Sequence, residues 1–298
     1  MDAQSFTLQD LRSDDAILRR RALGQLVRDA DGSTPSPALL RACVCRLGDE
    51  ERAVRRFSAE SLSGWLENGT PATRREVRRR LKDALSHRNT RVAATAARVL
   101  TRVDGPRSRF AAPLLRALSL DDEEERREAA ETLTKTAHVS RRLAARLRGL
   151  ARRGSAVERR MALYCLRDLP KSASVGTEPF LQALSDPDPL VRSAAASTLG
   201  RIGRRSRLIL DGLLRALKQD PSLLMRRVAA VALGQIAAPR RDVRASLEES
   251  MQADDPDLRR AARHALARLQ PAPQRRRRRT SRSAPDGQQR QDARSRQG

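Results

Sequence analysis

Residues 186–203 read DPDPLVRSAAASTLGRIG and predict a tight turn followed by one amphipathic helix. Each proline lacks an N–H and pushes the preceding residue toward an extended backbone, so the Asp-Pro-Asp-Pro run cannot lie inside a helix. After it, Val191, Ala195, Leu199 and Ile202 recur at the i, i+4, i+8, i+11 spacing of one helix face. The stretch is therefore a turn and a helix of about three turns with one apolar face.

The same turn and helix recur along the body of the chain. With Val191 as position 0, the equivalent residues of eight copies lie 36, 38, 33, 33, 33, 34 and 33 residues apart. They are Leu18, Val54, Val92, Glu125, Glu158, Val191, Met225 and Leu258. Position +4 always holds alanine or serine, and position +8 always holds leucine. Eight copies in one register predict a solenoid whose units bury their apolar faces against their neighbours.

Each copy is preceded by a segment that can form a partner helix. The predicted pairs are 5–13 with 18–28, 38–47 with 54–66, 74–85 with 92–103, 110–118 with 125–137, 140–151 with 158–169, 178–184 with 190–202, 208–217 with 225–236, and 242–251 with 258–269. The region 170–178 is the predicted internal hinge. We therefore predict an all-α fold, an α-solenoid of about eight helix pairs that spans residues 1–270.

Residues 271–298 differ from the body in composition. They contain almost no apolar side chains, so they cannot form a packed core, and this composition predicts a disordered tail. Nine arginines against two aspartates give the tail +7 of the total +25, which leaves +18 on the body. Its arginine run should add non-specific affinity for a polyanion. The run is Arg275, Arg276, Arg277, Arg278 and Arg279.

The repeated units resemble a known family. At residues 186–203, and at 219–236 with the sequence QDPSLLMRRVAAVALGQI, the chain is similar to HEAT repeats of the short bacterial type often called phycobilisome-lyase-like. The resemblance extends over roughly residues 5–270 and is strongest in units six to eight. It implies a right-handed superhelical scaffold that binds partners and whose second helices line the concave side. It implies architecture more than chemistry.

Cysteine usage and hydropathy indicate the compartment. Cys43, Cys45 and Cys165 are odd in number and form no Cys-x-x-Cys pair, so we predict buried, reduced thiols in a reducing compartment. The N-terminus carries no apolar signal segment, and no run approaches the roughly 20 apolar residues of a membrane span. A cytoplasmic protein without a metal or cofactor is expected.

Two arginine-rich positions follow the first buried position. Position +1 holds arginine in seven of eight copies and lies about 60° from the centre of the buried face. The resemblance implies that this arginine pairs with an acid in the turn of a neighbouring unit, so we predict a structural ladder. The suitable acids are Asp49, Asp122, Asp186, Asp188, Asp220 and Asp255.

Position +2 points about 160° away from the buried centre, so it cannot serve the core. Cations are disfavoured in the first turn of a helix, which means that local stability does not require arginine there. The position +2 arginines are Arg20, Arg56, Arg127, Arg160, Arg227 and Arg260, and on a neighbouring ridge position +10 carries Arg28, Arg102, Lys135, Arg201 and Arg268. On a concave second-helix layer, both rows would form a basic inner surface. The alternative is an ordinary solvated face of an arginine-rich protein.

Evenly spaced arginines fit a phosphate backbone, which is bound through counterion release without reading of bases. Aromatic residues make up only 2% of the chain, which disfavours base-stacked single strands. We therefore predict a non-catalytic scaffold that binds the backbone of DNA or RNA through a basic concave face. The alternative is a protein–protein interaction scaffold or regulator with an acidic protein partner.

Two HEAT-like enzyme classes were compared with the sequence. Deoxyhypusine hydroxylases hold iron with His-Glu pairs, whereas the three histidines here precede Arg88, Val139 and Ala265. Helical-repeat alkylpurine DNA glycosylases need aromatic residues and a carboxylate facing the lesion, and only Tyr164 with Asp168 could supply them. An ordinary surface pair is the simpler interpretation, so the chain is predicted not to be an enzyme.

Overall fold

The computed structural model describes residues 6–30, 34–139, 142–170 and 175–269. Within these ranges the chain forms fifteen α-helices and four short 3-10 turns, without a strand, and this confirms the all-α solenoid. The predicted tail and residues 171–174 of the predicted hinge lie outside the described ranges. The domain boundary near residue 270 therefore stays a prediction.

Two layers of helices alternate along the chain. The first helices of units two to eight are α2 (Pro37–Arg46), α4 (Pro71–Ala84), α6 (Ala111–Arg116), α8 (Leu143–Arg153), α10 (Glu178–Ala183), α12 (Arg207–Gln219) and α14 (Arg241–Ser250). The second helices of units one to eight are α1 (Ala16–Asp29), α3 (Arg52–Asn68), α5 (Thr90–Asp104), α7 (Glu123–Lys135), α9 (Ala156–Asp168), α11 (Pro189–Ile202), α13 (Leu223–Ile236) and α15 (Pro256–Leu269). The 3-10 turns are Asp10–Arg12, Ser108–Phe110, Ala117–Ser119 and Thr136–Val139.

Polar caps explain where the second helices begin. Asp188 accepts hydrogen bonds from the N–H groups of Leu190 and Val191, so α11 begins at Pro189, directly after the predicted turn. Ser155 and Glu158 form a reciprocal capping box at the start of α9. This box explains why an acid occupies position 0 of unit five.

Two local predictions were wrong. The helix predicted at 5–13 is, within the described residues, only the 3-10 turn Asp10–Arg12. The Asp10 carboxylate accepts hydrogen bonds from both the N–H and the hydroxyl of Thr7, and such local bonds compete with helix formation. Ile202, predicted to face the core, is 39% exposed because α11 ends there, at the left-handed Gly203.

The core follows the predicted register. The small residue at position +4 is buried in all eight units, and the leucine at +8 is buried in seven, with Leu26 half-buried. Small residues also bring the second helices close together. A Cβ on Gly200 would lie 2.8 Å from the Ala232 Cα, and one on Gly234 would lie 2.6 Å from the Ala265 Cα. In units six to eight the second helices pack more closely against one another than the first helices do.

Candidate anion-binding surface

Three arginines at position +1 form a ladder of ion pairs between successive units, whereas Arg126, Arg226 and Arg259 donate to backbone carbonyls and have no carboxylate partner among the described residues. Arg19 pairs with Asp49, Arg159 with Asp186 and Arg192 with Asp220, each at 2.7 Å, and every acid comes from the turn of the next unit. The Arg192 guanidinium also donates hydrogen bonds to the backbone carbonyls of residues 186 and 187 in its own turn. These contacts satisfy two carbonyls of the turn that have no intrahelical partner. The predicted structural ladder is confirmed for these three units.

The ladder changes where the sequence departs from the pattern. In unit three, position +1 is Ala93, and the turn before it carries no acid. Arg55 of unit two reaches past it to Glu125 at 2.9 Å and Asp122 at 3.5 Å in unit four. Glu125 also pairs with Arg91 at 2.8 Å, which accounts for an acid at position 0 of unit four. The ion pairs therefore connect three successive units.

Hydrogen bonding sets the charge state of the ladder acids. Burial alone would raise the pKa of Asp220, but the hydrogen bonds from the Arg192 side chain and the Ser222 N–H outweigh it and hold the pKa below its ordinary value. The same balance lowers the pKa of Asp49, beside Arg19. Both carboxylates are therefore ionised at neutral pH and belong to the scaffold.

Four of the six arginines at position +2 contact carboxylates. Arg227 takes the acid expected for position +1: it lies 2.5 Å from Asp255 and 3.0 Å from Asp257, and its hydrogen bond lowers the pKa of Asp255. The other three pairs lie in the exposed part of the surface. They are Arg56 with Glu60 at 2.8 Å, Arg127 with Glu124 at 3.7 Å and Arg260 with Asp257 at 2.5 Å. Exposed pairs of this kind are screened by solvent and contribute little to stability, so these three side chains can exchange partners.

The remaining predicted cations have no carboxylate within ion-pair distance among the described residues. We call them the unpaired cations; Arg160 is half-buried and the others are exposed. Arg28 bonds only to the neutral Gln25 side chain, at 2.8 Å. The unpaired cations are Arg20, Arg28, Arg102, Lys135, Arg160, Arg201 and Arg268. All seven belong to second helices, at position +2 or +10.

Position +6 lies between these two rows, and the sequence analysis did not consider it. In units two to four it holds Glu60, Arg98 and Glu131, whereas in units five to seven it holds Tyr164, Ser197 and Val231. Burial lowers the pKa of Arg98, while Glu128, 2.5 Å away, acts in the opposite direction. The centre of the surface is thus charged in units two to four and neutral in units five to seven. Extending the repeat register to +6 would have found this change.

The glycosylase-like pair is not a free carboxylate beside an aromatic ring. The Arg167 guanidinium lies 5.1 Å from the centre of the Tyr164 ring and 2.7 Å from the Asp168 carboxylate. Asp168 is therefore neutralised by its neighbour in the sequence. In the part of the chain that the structure describes, no three His, Cys, Asp or Glu side chains form a metal-binding group.

The three thiols differ in their exposure to solvent. All three cysteines are free, but only Cys43 and Cys165 are buried. The prediction of a buried Cys45 was wrong, because that side chain points to the solvent side of α2. No helix among the described residues is long and apolar enough to span a membrane.

Comparisons with known proteins agree with this architecture. Residues 177–267 match the family model of HEAT repeats. Among solved structures, importin beta is similar with a TM-score of 0.56 and 16% identity, over 88% of this chain and 40% of that chain. Kap95p, in a structure that describes its binding to RanGDP, is similar with a TM-score of 0.55 and 14% identity, over 88% of this chain and 40% of that chain. Human deoxyhypusine hydroxylase has a TM-score of only 0.36 and 18% identity, over 88% of this chain and 94% of that chain, and this likeness carries no argument.

At 16% and 14% identity, importin beta and Kap95p define the fold alone. The chain spans about 40% of the length of each. No curated protein matches the sequence.

Proposed function

We propose that this chain, in which residues 177–267 match the HEAT-repeat family model, is a non-catalytic scaffold that binds the phosphate backbone of a nucleic acid through its second-helix layer. The observation that carries the proposal is the set of seven unpaired cations on one layer. Cations without internal partners can neutralise phosphates, and release of the counterions condensed on the nucleic acid then drives association. Arg227 belongs to the ladder and is not part of the proposed contact set.

The chemistry of the surface favours backbone contact over base recognition. Tyr164 is the one aromatic residue at position +6, and Arg167 covers its ring at 5.1 Å. A single-strand binder would use exposed aromatic rings as stacking platforms. The partner should therefore be a duplex or a structured RNA. A cytoplasmic location is part of this proposal and rests on the three free thiols.

An acidic protein is the second candidate partner. It is favoured by the structural likeness to Kap95p, which binds the protein RanGDP. The two candidates differ in how binding depends on salt, since only a polyanion with condensed counterions gives a steep slope in log Kd against log salt.

The test is a titration with duplex DNA and with RNA at several salt concentrations. The variant Arg102→Glu/Lys135→Glu/Arg201→Glu reverses three unpaired cations of the second helices. It should weaken binding and reduce the salt slope by about 3, close to 0.9 for each lost phosphate contact. The matched control, Arg41→Glu/Lys82→Glu/Lys218→Glu, makes the same charge change at exposed residues of first helices.

Equal losses in both variants would mean that the net charge acts without a defined surface, and the proposal would be wrong. A third variant replaces residues 275–279 by glutamine in the full-length chain. If this variant abolishes binding while the second-helix variant does not, the tail is the binding element. Absence of any steep salt slope in the wild type would favour the acidic protein partner.

A further inference from the structure

A groove on the second-helix layer differs from the rest of this surface. It lies between α13 and α15, has a volume of about 530 Å³, and has Val231, Ala261 and Ala265 among the residues that line it. Val231 is 45% exposed, although it is a large apolar side chain. Ala261 is half-buried and Ala265 is buried, so the floor is apolar and fixed by helix packing.

The two ends of the groove differ in charge. At one end Arg227 and Arg260 share the Asp257 carboxylate, at 3.0 and 2.5 Å, and Arg227 also pairs with Asp255 at 2.5 Å, so two carboxylates balance the two arginines there. At the other end Gln235, His264 and Arg268 are exposed, and Arg268 is one of the unpaired cations. The lining residues together with Asp255 contain three arginines and two aspartates, a balance of +1 with a neutral histidine.

We propose that this groove binds an acidic segment of another protein that inserts apolar side chains between its carboxylates. An apolar floor forms no hydrogen bond or ion pair with a phosphate, but burial of an apolar side chain against it favours binding. Arg268 at one end, and Arg260 at the other, whose exposed ion pair can exchange partners, then select carboxylates beside that anchor. An amphipathic helix with apolar residues at i, i+4 and i+7 has this arrangement.

Other occupants fit the groove less well. The chain's own C-terminal segment, residues 271–298, carries +7 and would be repelled by the unpaired Arg268. A nucleic acid would leave Val231 uncovered, and no Phe, Tyr or Trp ring lines the groove for a base to stack on.

The test uses fluorescence polarisation with two labelled 16-residue peptides. The first has leucines at i, i+4 and i+7 and glutamates on the flanks, and in the second the leucines are replaced by glutamine. The wild-type protein should bind the leucine peptide more tightly. Val231→Gln should weaken the leucine peptide about fivefold, since it removes part of one buried valine contact, and should leave the glutamine peptide unchanged. Arg268→Gln should weaken both peptides.

The matched control is Leu208→Gln. Leu208 is 70% exposed but lies on the first helix α12, so the substitution removes an exposed apolar side chain without touching the groove. It should not change the affinity of either peptide. Equal effects of Val231→Gln and Leu208→Gln, or equal affinity of the two peptides for the wild type, would overturn the proposal.

Two further outcomes identify a different occupant. If Val231→Gln abolishes self-association in sedimentation experiments without peptide, the groove is filled by a second copy, and the proposal of a foreign segment is wrong. If duplex DNA binding falls with Val231→Gln as much as peptide binding does, the groove belongs to the nucleic-acid surface. Because Arg102, Lys135 and Arg201, the cations reversed to test the proposed function, lie outside this groove, either proposal can fail while the other stands.

Discussion

Close approach of the second helices can be tested with two glycine-to-alanine substitutions. Gly234 lies in α13 against α15, where an added Cβ would be 2.6 Å from the Ala265 Cα and 2.7 Å from the Ala265 Cβ. Gly64 lies in α3 and has no atom within 4 Å of the same added Cβ. Both substitutions improve helix propensity equally, by about 1 kcal/mol. Only one of them introduces a steric conflict.

The magnitude follows from the contact distance. Ordinary Cβ contacts begin near 3.4 Å, so α13 and α15 must separate by about 0.8 Å to accept Gly234→Ala. The obstructing atoms belong to backbone and Cβ, which cannot rotate away. Overpacking of this kind costs about 1–3 kcal/mol, which outweighs or cancels the gain in propensity. We expect Gly234→Ala to lower the free energy of unfolding by about 0–2 kcal/mol and Gly64→Ala to raise it by about 0.5–1 kcal/mol.

Urea unfolding followed by circular dichroism measures both changes. Because repeat arrays can unfold unit by unit, hydrogen exchange in α13 and α15 should accompany it and show the loss of protection there. The reasoning is refuted if Gly234→Ala stabilises the protein as much as Gly64→Ala. In that case the second helices would not approach as closely as described.

Three further predictions concern the ladder and the thiols. Arg192→Gln leaves the buried Asp220 carboxylate without its partner and should lower the free energy of unfolding in urea by about 3 kcal/mol. The control Arg204→Gln, at an exposed arginine, should change it by less than about 0.5 kcal/mol. Equal effects of the two substitutions would contradict the ladder. The folded-state pKa of Asp220 lies below its unfolded value, so the contribution of the pair is present above about pH 4 and is lost as the pH falls further. The difference in unfolding free energy between wild type and Arg192→Gln should therefore narrow as the pH is lowered below about 4, and a constant difference would refute this assignment. An aromatic disulfide reagent should label the exposed Cys45 in the native protein and leave Cys43 unlabelled. Burial raises the pKa of the Cys43 thiol to about 12, so little reactive thiolate forms there. Rapid labelling of both thiols would show that α2 is not packed against the core.

The candidate surface was only partly predictable from the sequence. Angular position alone placed Arg227 and Arg102 on the same solvent face, but their partners differ. Arg227 is held by Asp255 and Asp257 of the next unit, while Arg102 has no carboxylate partner in the described part of the chain. The acids that decide this lie about 28–30 residues away, and their distance depends on how successive units are rotated and staggered. A helical wheel contains no information about that rotation.

The sequence by itself determined the helices, their pairing and the buried face, because a helix places residues i, i+4 and i+8 on one side whatever surrounds it. Its repeat period then required neighbouring units to cover those faces. Only the tertiary structure decided which charged side chains form ion pairs within the scaffold and which have no carboxylate partner among the described residues. Ala93 shows the reason: one missing side chain in unit three lets Arg55 reach across to unit four, a contact fixed by the spacing of packed helices and by side-chain length.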